Sequence, residues 1–180
     1  MLSVVTPLPP MTEPVLQAPD ATTLRQALGR YATGVALVCC RPDGAAPLGL
    51  TVNSFAALSL QPALVLWSLR CESTALPAFD AAGHFSVSVL GLAHQGLSQR
   101  FASREPDKFA DGAWFDAPDT GAPLLADALA LFECRTVSRQ VIGDHVLYVG
   151  EVLGLSQRAG EPLLFQGGGY QRLALPGQGG

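Results

Sequence analysis

The sequence predicts a mainly β protein, an antiparallel barrel or sandwich with a few short helices. Most of its apolar segments have the length of strands, and the chain lacks the regular alternation of strand and helix that is typical of a parallel sheet. Neither a GxGxxG nor a GxxxxGKS/T pattern occurs, so a Rossmann or P-loop nucleotide site is not expected. A nucleotide-like ligand would have to be held in another way.

The first predicted element is a helix that begins near Asp20 to Thr23, where the side chains can cap its start. Three apolar residues recur at intervals of four and three residues, and Gly34 is expected to end the helix. The apolar residues are Leu24, Leu28 and Tyr31.

Three strands are predicted next, over residues 35–40, 48–55 and 63–69. The first two are expected to form an antiparallel pair, because Pro42 and Gly44 lie where a type I turn over 41–44 places proline and glycine. The third strand begins just after Pro62, and Trp67 within it is expected to lie in the core.

A short helix and a fourth strand follow. A proline is tolerated in the first turn of a helix, so Pro77 favours Ser73 or Thr74 as the N-cap of a helix that ends at Gly83. Over residues 85–89 apolar residues alternate with serines, which predicts a half-buried strand. A helical stretch over 91–101 comes after it.

The last part of the chain begins with a predicted loop over 102–123, with short helical turns around 106–109 and Trp114 at a subunit boundary. Loops of this length in a compact domain are more often functional than idle. Two long strands are then predicted over 128–138 and 145–156, joined by a turn at 142–144. A final short strand over 162–165 leads to three glycines and Tyr170.

Composition predicts one soluble domain. Hydrophobic residues make up 48% of the 180 residues and charged residues 14%, and the net charge is -4. Without clustered Lys and Arg a nucleic-acid partner is not expected, and no apolar run reaches the ~18 residues of a membrane span. Residues 1–20 are proline-rich and predicted to be disordered, residues 21–174 to form the domain, and residues 175–180 to be a flexible tail. Translation could start at Met1 or at Met11.

The cysteines and histidines do not predict a metal site. The three histidines are scattered and no CxxC pair occurs, so metal-ligand spacing is missing. Buried thiols in a reducing cytoplasm are the favoured interpretation of the four cysteines. A catalytic thiol at Cys71, beside Arg70, is the alternative.

The segment from Gly49 to Phe55 is the strongest candidate for a binding site. It sets small and hydrogen-bonding residues inside what otherwise has the pattern of a buried strand running into a loop. Such an edge suits the grip of a flat polar ring. The alternative is a strand end whose polar side chains cap their own loop.

Six motifs occur in an order that resembles the short-chain flavin reductases, the reductase components of two-component flavin-dependent monooxygenases. The resemblance covers about residues 24–173. The motifs are Tyr31-Ala32-Thr33-Gly34-Val35; Gly49 to Phe55 with Ser59-Leu60 and Pro62; Ser73-Thr74; Phe101 with Asp107-Lys108-Phe109; Gly143-Asp144-His145; and Pro162-Leu163-Leu164 with Tyr170. The sequence departs from the family at Leu50, where a methionine is common, and at the three glycines before Tyr170, where a bulkier and often basic residue is usual.

The resemblance implies an antiparallel Greek-key split β-barrel that binds FMN, with FAD also possible, and a homodimer. It implies hydride transfer from NADH or NADPH to the flavin, which is then supplied to a partner monooxygenase. In such a reaction the cofactor carries the reactivity, so no acid–base pair is required. Two other functions remain open: a non-catalytic flavin-binding module, and an FMN-dependent oxidase of the pyridoxamine-phosphate oxidase type.

The resemblance also assigns roles to residues. His145 is the candidate catalytic residue, facing the nicotinamide or ordering the reduced flavin, although a lone histidine at a turn is more often a surface residue. Candidate contacts to the flavin ring are Thr51, Val52, Asn53 and Ser54. Candidate contacts to its phosphate are Ser73 and Thr74, less firmly Ser68 and Arg70. Phe101, Lys108 and Phe109 are expected at the entrance, with Lys108 attracting dinucleotide phosphates, and Tyr170 near the cleft. The alternatives are a solvated lysine beside two core aromatics and a tyrosine that only closes the barrel.

Overall fold

Twelve strands and three α-helices make up the part of the chain that the computed structural model describes, which is Leu16 and residues 18–173. The helices are α1 (Ala21–Leu28), α2 (Leu76–Ala82) and α3 (Gln95–Ala102), and a 3-10 turn (Leu92–His94) precedes α3. The strands are β1 (Thr33–Gly34), β2 (Ala36–Cys40), β3 (Leu48–Val52), β4 (Ala56–Leu60), β5 (Ala63–Arg70), β6 (His84–Val89), β7 (Trp114–Asp116), β8 (Pro123–Leu125), β9 (Ala130–Ile142), β10 (His145–Gln157), β11 (Leu164–Gln166) and β12 (Gly169–Gln171). The predicted tail over 175–180 and most of the predicted disordered segment over 1–20 lie outside the described residues.

One seven-stranded sheet organises the fold, in the order β3-β2-β6-β9-β10-β5-β4. Every ladder in it is antiparallel. A three-stranded sheet, β1-β11-β12, and the pair β7-β8 complete the architecture. The predicted class, mainly β and antiparallel with short helices, is confirmed. In the described residues the ladder stays open, with β3 and β4 as its edges.

The core lies on both faces of this sheet, because every residue of β2 is buried. Val38 packs into a cluster with Trp67 and Tyr148, while Leu37 packs on the other side with Phe101. The rings of Trp67 and Tyr148 stack at 4.8 Å with an interplanar angle of 12°. Trp67 is fully buried, as predicted.

A polar network of hydrogen bonds borders the cluster of Trp67 and Tyr148. The Tyr148 hydroxyl donates to Asp80 Oδ1 at 2.6 Å, and Arg139 Nε donates to the same oxygen at 2.7 Å. Burial acts to raise the pKa of Asp80, but the hydrogen bonds from Arg139 and Tyr148 outweigh it and lower that pKa. The network therefore joins α2 to β9 and β10.

Both ends of α1 have local explanations. The Asp20 carboxylate accepts from the backbone N–H groups of Thr22 and Thr23 at 2.8 and 2.9 Å, which confirms the predicted cap. The predicted end at Gly34 was wrong: Gly29 caps the helix, and Gly34 pairs with Leu164 in a strand. Sheet pairing overrides the helical pattern that continues to Tyr31.

Two further expectations about local structure were wrong. The N-cap of α2 is Ala75, so Ser73 and Thr74 precede the helix, although Ser73 Oγ accepts from the Ala75 N–H at 3.3 Å. Strand β6 was predicted to be half-buried, but its serines lie in the interior as well. Ser86 donates to the Pro123 carbonyl, and Ser88 accepts from the Leu125 N–H. Partners on β8 let these hydroxyls lie in the interior.

The turn after β2 lies one residue later than predicted. The Ala45 N–H donates to the Pro42 carbonyl at 3.0 Å, which makes Asp43 and Gly44 the central residues. Gly44 has φ +69°, a conformation that favours glycine. Strands β1, β4, β7, β8 and β12 were not predicted at all.

The thiols only partly follow the expectation of burial. Cys39, Cys40 and Cys134 are buried, whereas Cys71 is exposed, and all four are free. Burial raises the pKa of Cys40 to about 12, and it also raises the pKa of Cys134 to about 12. Within residues 16 and 18–173, no cluster of three or more His, Cys, Asp or Glu side chains could hold a metal ion. No helix in that same part of the chain is long and apolar enough to cross a membrane.

Candidate functional site

A cleft of about 690 Å³ opens where β3, the end of β5 and the end of α3 meet. We call it the main cleft. Its volume falls within the range of roughly 300–1,000 Å³ found for small-molecule sites. The predicted residues that line it are Thr51, Arg70, Ser73, Thr74, Phe101 and Lys108.

A smaller pocket of about 190 Å³, the side pocket, adjoins the main cleft. Thr51 of β3 and Ala102 of α3 line both cavities, so the two adjoin at these residues. The other walls of the side pocket are mostly apolar, and the predicted residues Val52, Asn53 and Tyr170 are among them. Nine of the predicted site residues therefore line these two adjoining cavities.

The main cleft carries an excess of positive charge. Arg70, Arg104 and Lys108 line it, against the single carboxylate of Glu72, in a chain whose net charge is -4. Arg70 contacts Glu72 at 3.2 Å, with both side chains largely exposed. Arg104 has no carboxylate within 4.0 Å among the described residues. A cleft of this kind attracts anions.

Close packing at Gly49 fixes the floor of the main cleft. A Cβ at this position would lie 2.6 Å from Phe101 Cε1 and 2.7 Å from Cys39 Sγ. Glycine therefore lets β3 approach the Phe101 ring, which is itself 1% exposed. The prediction that Phe101 contributes to the cleft agrees with this position.

Lys108 is directed toward the protein backbone. Its Nζ donates to the carbonyl oxygen of Phe101 at 2.8 Å and to that of Gly49 at 3.4 Å. Burial lowers the pKa of Lys108, against the opposing influence of Cys39. Lys108 therefore holds the loop after α3 onto β3, and its attraction of dinucleotide phosphates stays a prediction.

A chain of hydrogen bonds joins elements that line the two cavities. Thr51 Oγ1 donates to the Ser98 carbonyl at 2.6 Å, and Ser98 Oγ lies 2.8 Å from the Tyr170 hydroxyl. These contacts tie β3, α3 and β12 together. The hydroxyl proton of Thr51 is thus engaged within the protein, and Tyr170 is held against the side pocket.

Ser54 and Ser68 form a reciprocal contact with each other. Ser54 Oγ donates to the Ser68 carbonyl and accepts from the Ser68 N–H, both at 3.1 Å. Neither residue lines the main cleft or the side pocket. The predicted contacts of these two residues to a ring and a phosphate are therefore not supported by their positions. Their role here is to fasten the segment after β3 to β5.

Phe109 belongs to an aromatic cluster next to the main cleft. Its ring meets Phe101 at 5.0 Å, edge to face, and Trp114 at 4.9 Å. Trp114 Nε1 donates to the Asp111 carbonyl, and Arg100 forms an ion pair with the Asp111 carboxylate. Phe109 packs against Phe101 and lines neither cavity, and its place at the entrance to the flavin stays a prediction. Trp114, predicted at a subunit boundary, packs in the same cluster.

His145 lies near the main cleft without lining it. It opens β10 opposite Arg70 of β5, and its Nδ1 lies 2.7 Å from Asp144 Oδ1. The hydrogen bond with His145 lowers the pKa of Asp144. The Cys71 N–H also donates to the Asp144 carbonyl, at 2.9 Å. The turn thus holds the histidine ring beside the cleft, and its catalytic role stays a prediction.

Sequence reasoning missed several residues of the site. Arg104 and Ser103 belong to the loop after α3, and Phe165 and Val35 belong to the side pocket. Arg104 could have been found, since it is one of the few basic residues in a loop predicted to be functional. The apolar residues give no such signal, because they resemble ordinary core positions.

Comparisons with known proteins identify the family of the chain. The family model described as "Flavin reductase like domain" matches residues 28–174. The chain is 44% identical over 156 residues to FMN reductase (NADH) SmoA of Agrobacterium fabrum, covering 86% of this chain and 87% of that protein. It is 41% identical over 155 residues to HsaB of Rhodococcus jostii, the reductase subunit of a flavin-dependent monooxygenase, covering 86% and 78%.

The fold also matches solved structures. NADH:FAD oxidoreductase SgcE6 of Streptomyces globisporus, in complex with NAD and FAD fragments, superposes with a TM-score of 0.82 and 34% identity. The match covers 88% of this chain and 96% of that one. The resemblance predicted from the motifs is confirmed, and the chain belongs to the family of the flavin reductase like domain.

Proposed function

We propose that residues 21–174 form an NAD(P)H-dependent flavin reductase whose flavin occupies the main cleft and whose nicotinamide reaches it through the side pocket. The observation that carries this proposal is that a cationic cleft adjoins a mostly apolar pocket, with Thr51 and Ala102 lining both. A flavin nucleotide has the matching parts, an anionic phosphate and a flat ring.

The phosphate of FMN, or the first phosphate of FAD, fits the end of the main cleft near Ser73 and Thr74. Both residues carry hydroxyl groups and line the cleft, and Arg104 and Arg70 supply positive charge there. Charge-assisted hydrogen bonds of this type are among the stronger polar contacts in proteins. These four residues are the proposed phosphate site.

The flavin ring fits along the end of β3. Thr51 lies where the two cavities join, and Val52 and Asn53 continue the wall into the side pocket. Asn53 is exposed and offers both an amide donor and an acceptor to a ring edge. Tyr170 and Phe165 face the same space and suit the apolar face of a nicotinamide.

A bound flavin supplies the acceptor for a hydride from reduced nicotinamide, while the protein supplies orientation. The chain's part is to hold two flat rings within contact distance and to exclude water from the space between them. His145 acts beside this space with its ring oriented by Asp144, so that its Nε2 faces away from the carboxylate. In this proposal His145 orders the nucleotide.

The activity is tested by anaerobic reduction of added flavin, followed as bleaching of the flavin absorbance band. FMN and FAD are each combined with NADH and with NADPH. The four rates show which flavin and which nicotinamide nucleotide the protein prefers. Rapid bleaching in at least one combination is expected. Flavin binding without bleaching in any combination would contradict the reductase and favour a flavin-binding module or an oxidase.

The reduced flavin is proposed to serve a separate flavin-dependent monooxygenase. Support comes from the similarity to HsaB, a monooxygenase reductase subunit, and to SmoA. A cytoplasmic location is proposed because all four cysteines are free, and reducing compartments keep thiols in that form.

A homodimer is proposed from apolar surface that is left uncovered in the single chain. Leu60, on the edge strand β4, is 90% exposed, and helix α1 buries none of its residues. Exposed edge strands and apolar helix faces are usually covered in soluble proteins. A second copy of the chain is the proposed cover.

A further inference from the structure

A separate pocket of about 240 Å³ lies between the pair β7-β8 and the middle of the long hairpin β9-β10. It shares no lining residue with the main cleft or the side pocket. Its walls are largely apolar and include Phe115, Pro118, Leu124 and Leu131. The one charged group among its lining residues is the carboxylate of Glu133, and we call this space the Glu133 pocket.

The two carboxylate oxygens of Glu133 have different surroundings. It is only 4% exposed, and its Oε1 accepts from the N–H groups of Asp119 and Thr120 at 2.9 and 2.7 Å. The Thr120 hydroxyl donates to the same oxygen at 2.8 Å. Oε2 has no hydrogen-bond partner among the described residues. One oxygen therefore organises the turn over 117–121, and the other remains available.

Gly154 creates the space in front of that free oxygen. It pairs directly with Glu133 across the hairpin, next to a bulge at Leu153. A Cβ at Gly154 would lie 3.7 Å from Glu133 Oε2, and Gly154 does not have a positive φ. The position thus tolerates a side chain sterically, yet it is left empty above a buried carboxylate.

Glu133 Oε2 is not among the buried polar atoms that lack a partner, so it is open to solvent at the pocket, where it can accept a charge-assisted hydrogen bond from a cationic ligand. Within the described residues the ion pairs of Arg41, Arg135 and Arg139 go to other carboxylates. A ligand that fits this pocket carries N–H donors and a positive charge for Oε2, and an apolar body for the walls. Phe115 and Leu155 are 42% and 67% exposed at the rim, so a ligand can enter from solvent.

We propose that the Glu133 pocket is a second ligand site, which binds a small organic ammonium ion with an aromatic or aliphatic body. The ammonium group donates to Oε2 of Glu133, and the apolar body packs on Phe115, Leu124 and Leu131. This site is distinct from the flavin site and does not depend on the proposed reductase activity.

The test uses the full chain and benzylamine, which is an ammonium ion at neutral pH. Amide signals are followed by two-dimensional NMR during titration, with benzyl alcohol as the uncharged probe. Saturable shifts are expected at Gly154, Leu155 and Phe115 with benzylamine. Benzyl alcohol should bind at least about tenfold more weakly, because a charged hydrogen bond is roughly twice as strong as a neutral one.

Two variants separate charge from shape. Glu133→Gln keeps the Oε1 acceptor for the turn but removes the charge, and it should weaken benzylamine binding by about tenfold or more. Gly154→Val leaves the carboxylate in place and fills the space, so it should abolish binding. Gly96→Ala, at an exposed helical glycine with open space around it, is the matched control and should bind normally.

The proposal is overturned by any of three results. The first is that benzylamine causes no saturable shifts at these residues in the wild-type chain. The second is that benzyl alcohol binds as tightly as benzylamine. The third is that the Gly154→Val variant binds benzylamine as tightly as the Gly96→Ala control does. This result would place the ligand elsewhere, whatever the effect of Glu133→Gln on the turn over 117–121.

Discussion

The Nζ of Lys108 donates to the carbonyl oxygen of Phe101 at 2.8 Å, so the single lysine of the sequence is bound to the end of α3. A second contact, to the Gly49 carbonyl at 3.4 Å, reaches β3. One side chain thereby joins three walls of the main cleft. Lys108 is thus a positioning residue for the site. Its effect on the protein can be measured without a bound ligand.

Replacing Lys108 with methionine should loosen this wall even when no flavin is present. The free energy of unfolding of the flavin-free protein should fall by about 1.5 kcal/mol, the scale of a hydrogen bond to a charged group. The KM for flavin should rise more than kcat falls. Chemical denaturation of the flavin-free variant measures the first effect. Unchanged stability would mean that Lys108 acts only on the ligand.

Replacing Gly49 with alanine should distort the floor of the cleft. The added methyl would meet the Phe101 ring at 2.6 Å and Cys39 Sγ at 2.7 Å, and both are buried. Overpacking of this kind costs about 1–3 kcal/mol. Gly34→Ala, where no atom lies within 4 Å of the new methyl, is the control. Equal thermal stability of the two variants would contradict the packing described here.

The sequence predicted the sheet better than it predicted the roles of polar residues. Strand β6 has the alternating pattern of a half-buried strand, yet Ser86 and Ser88 are interior because β8 supplies partners for their hydroxyls. No local pattern reveals a partner 37 residues away. Strand β4 was missed because Ala56-Ala57-Leu58-Ser59-Leu60 has few of the β-branched and aromatic residues that favour strands.

The candidate site shows the same limit. Thr51, Ser73, Thr74 and Phe101 line the cleft as predicted, since short motifs of the family carry them. The motif around Ser54 also contains hydroxyls, but that of Ser54 is used on Ser68. Whether a polar side chain faces a ligand or its own backbone depends on tertiary contacts. These contacts are invisible in the sequence.

The Asp80 network should make stability depend on acid pH. Because the folded pKa of Asp80 is lowered, its contribution is complete above the ordinary value of 3.8 and is lost as the pH falls through the folded pKa. The melting temperature of Asp80→Asn should therefore lie below that of the wild type by a constant amount at pH 5 to 8, and the gap should narrow below about pH 4. A gap that is unchanged at acid pH would contradict the ionic role of Asp80.

The exposed edge of β4 should carry the proposed dimer contact. Leu60→Asp places a charge on a residue that is 90% exposed in the single chain, so the monomer itself should tolerate it. In a dimer the same charge would be desolvated, which favours dissociation. Light scattering after size exclusion should give a dimer mass for the wild type and a monomer mass for the variant. A monomeric wild type would refute the homodimer.

Flavin is proposed to bind in the main cleft with its phosphate at Ser73 and Thr74. The most direct measurement is single-turnover anaerobic reduction by NADH at increasing FMN concentration, for the wild type and for Ser73→Ala with Thr74→Val. Thr136→Val with Ser138→Ala, on β9 and outside both cavities, is the matched control. We predict that the cleft variant needs roughly tenfold more FMN for half-maximal rate, equivalent to about 1.4 kcal/mol, while its rate at saturation and the control stay near the wild-type values. A cleft variant that saturates at the same FMN concentration as the control would contradict the assignment of the site.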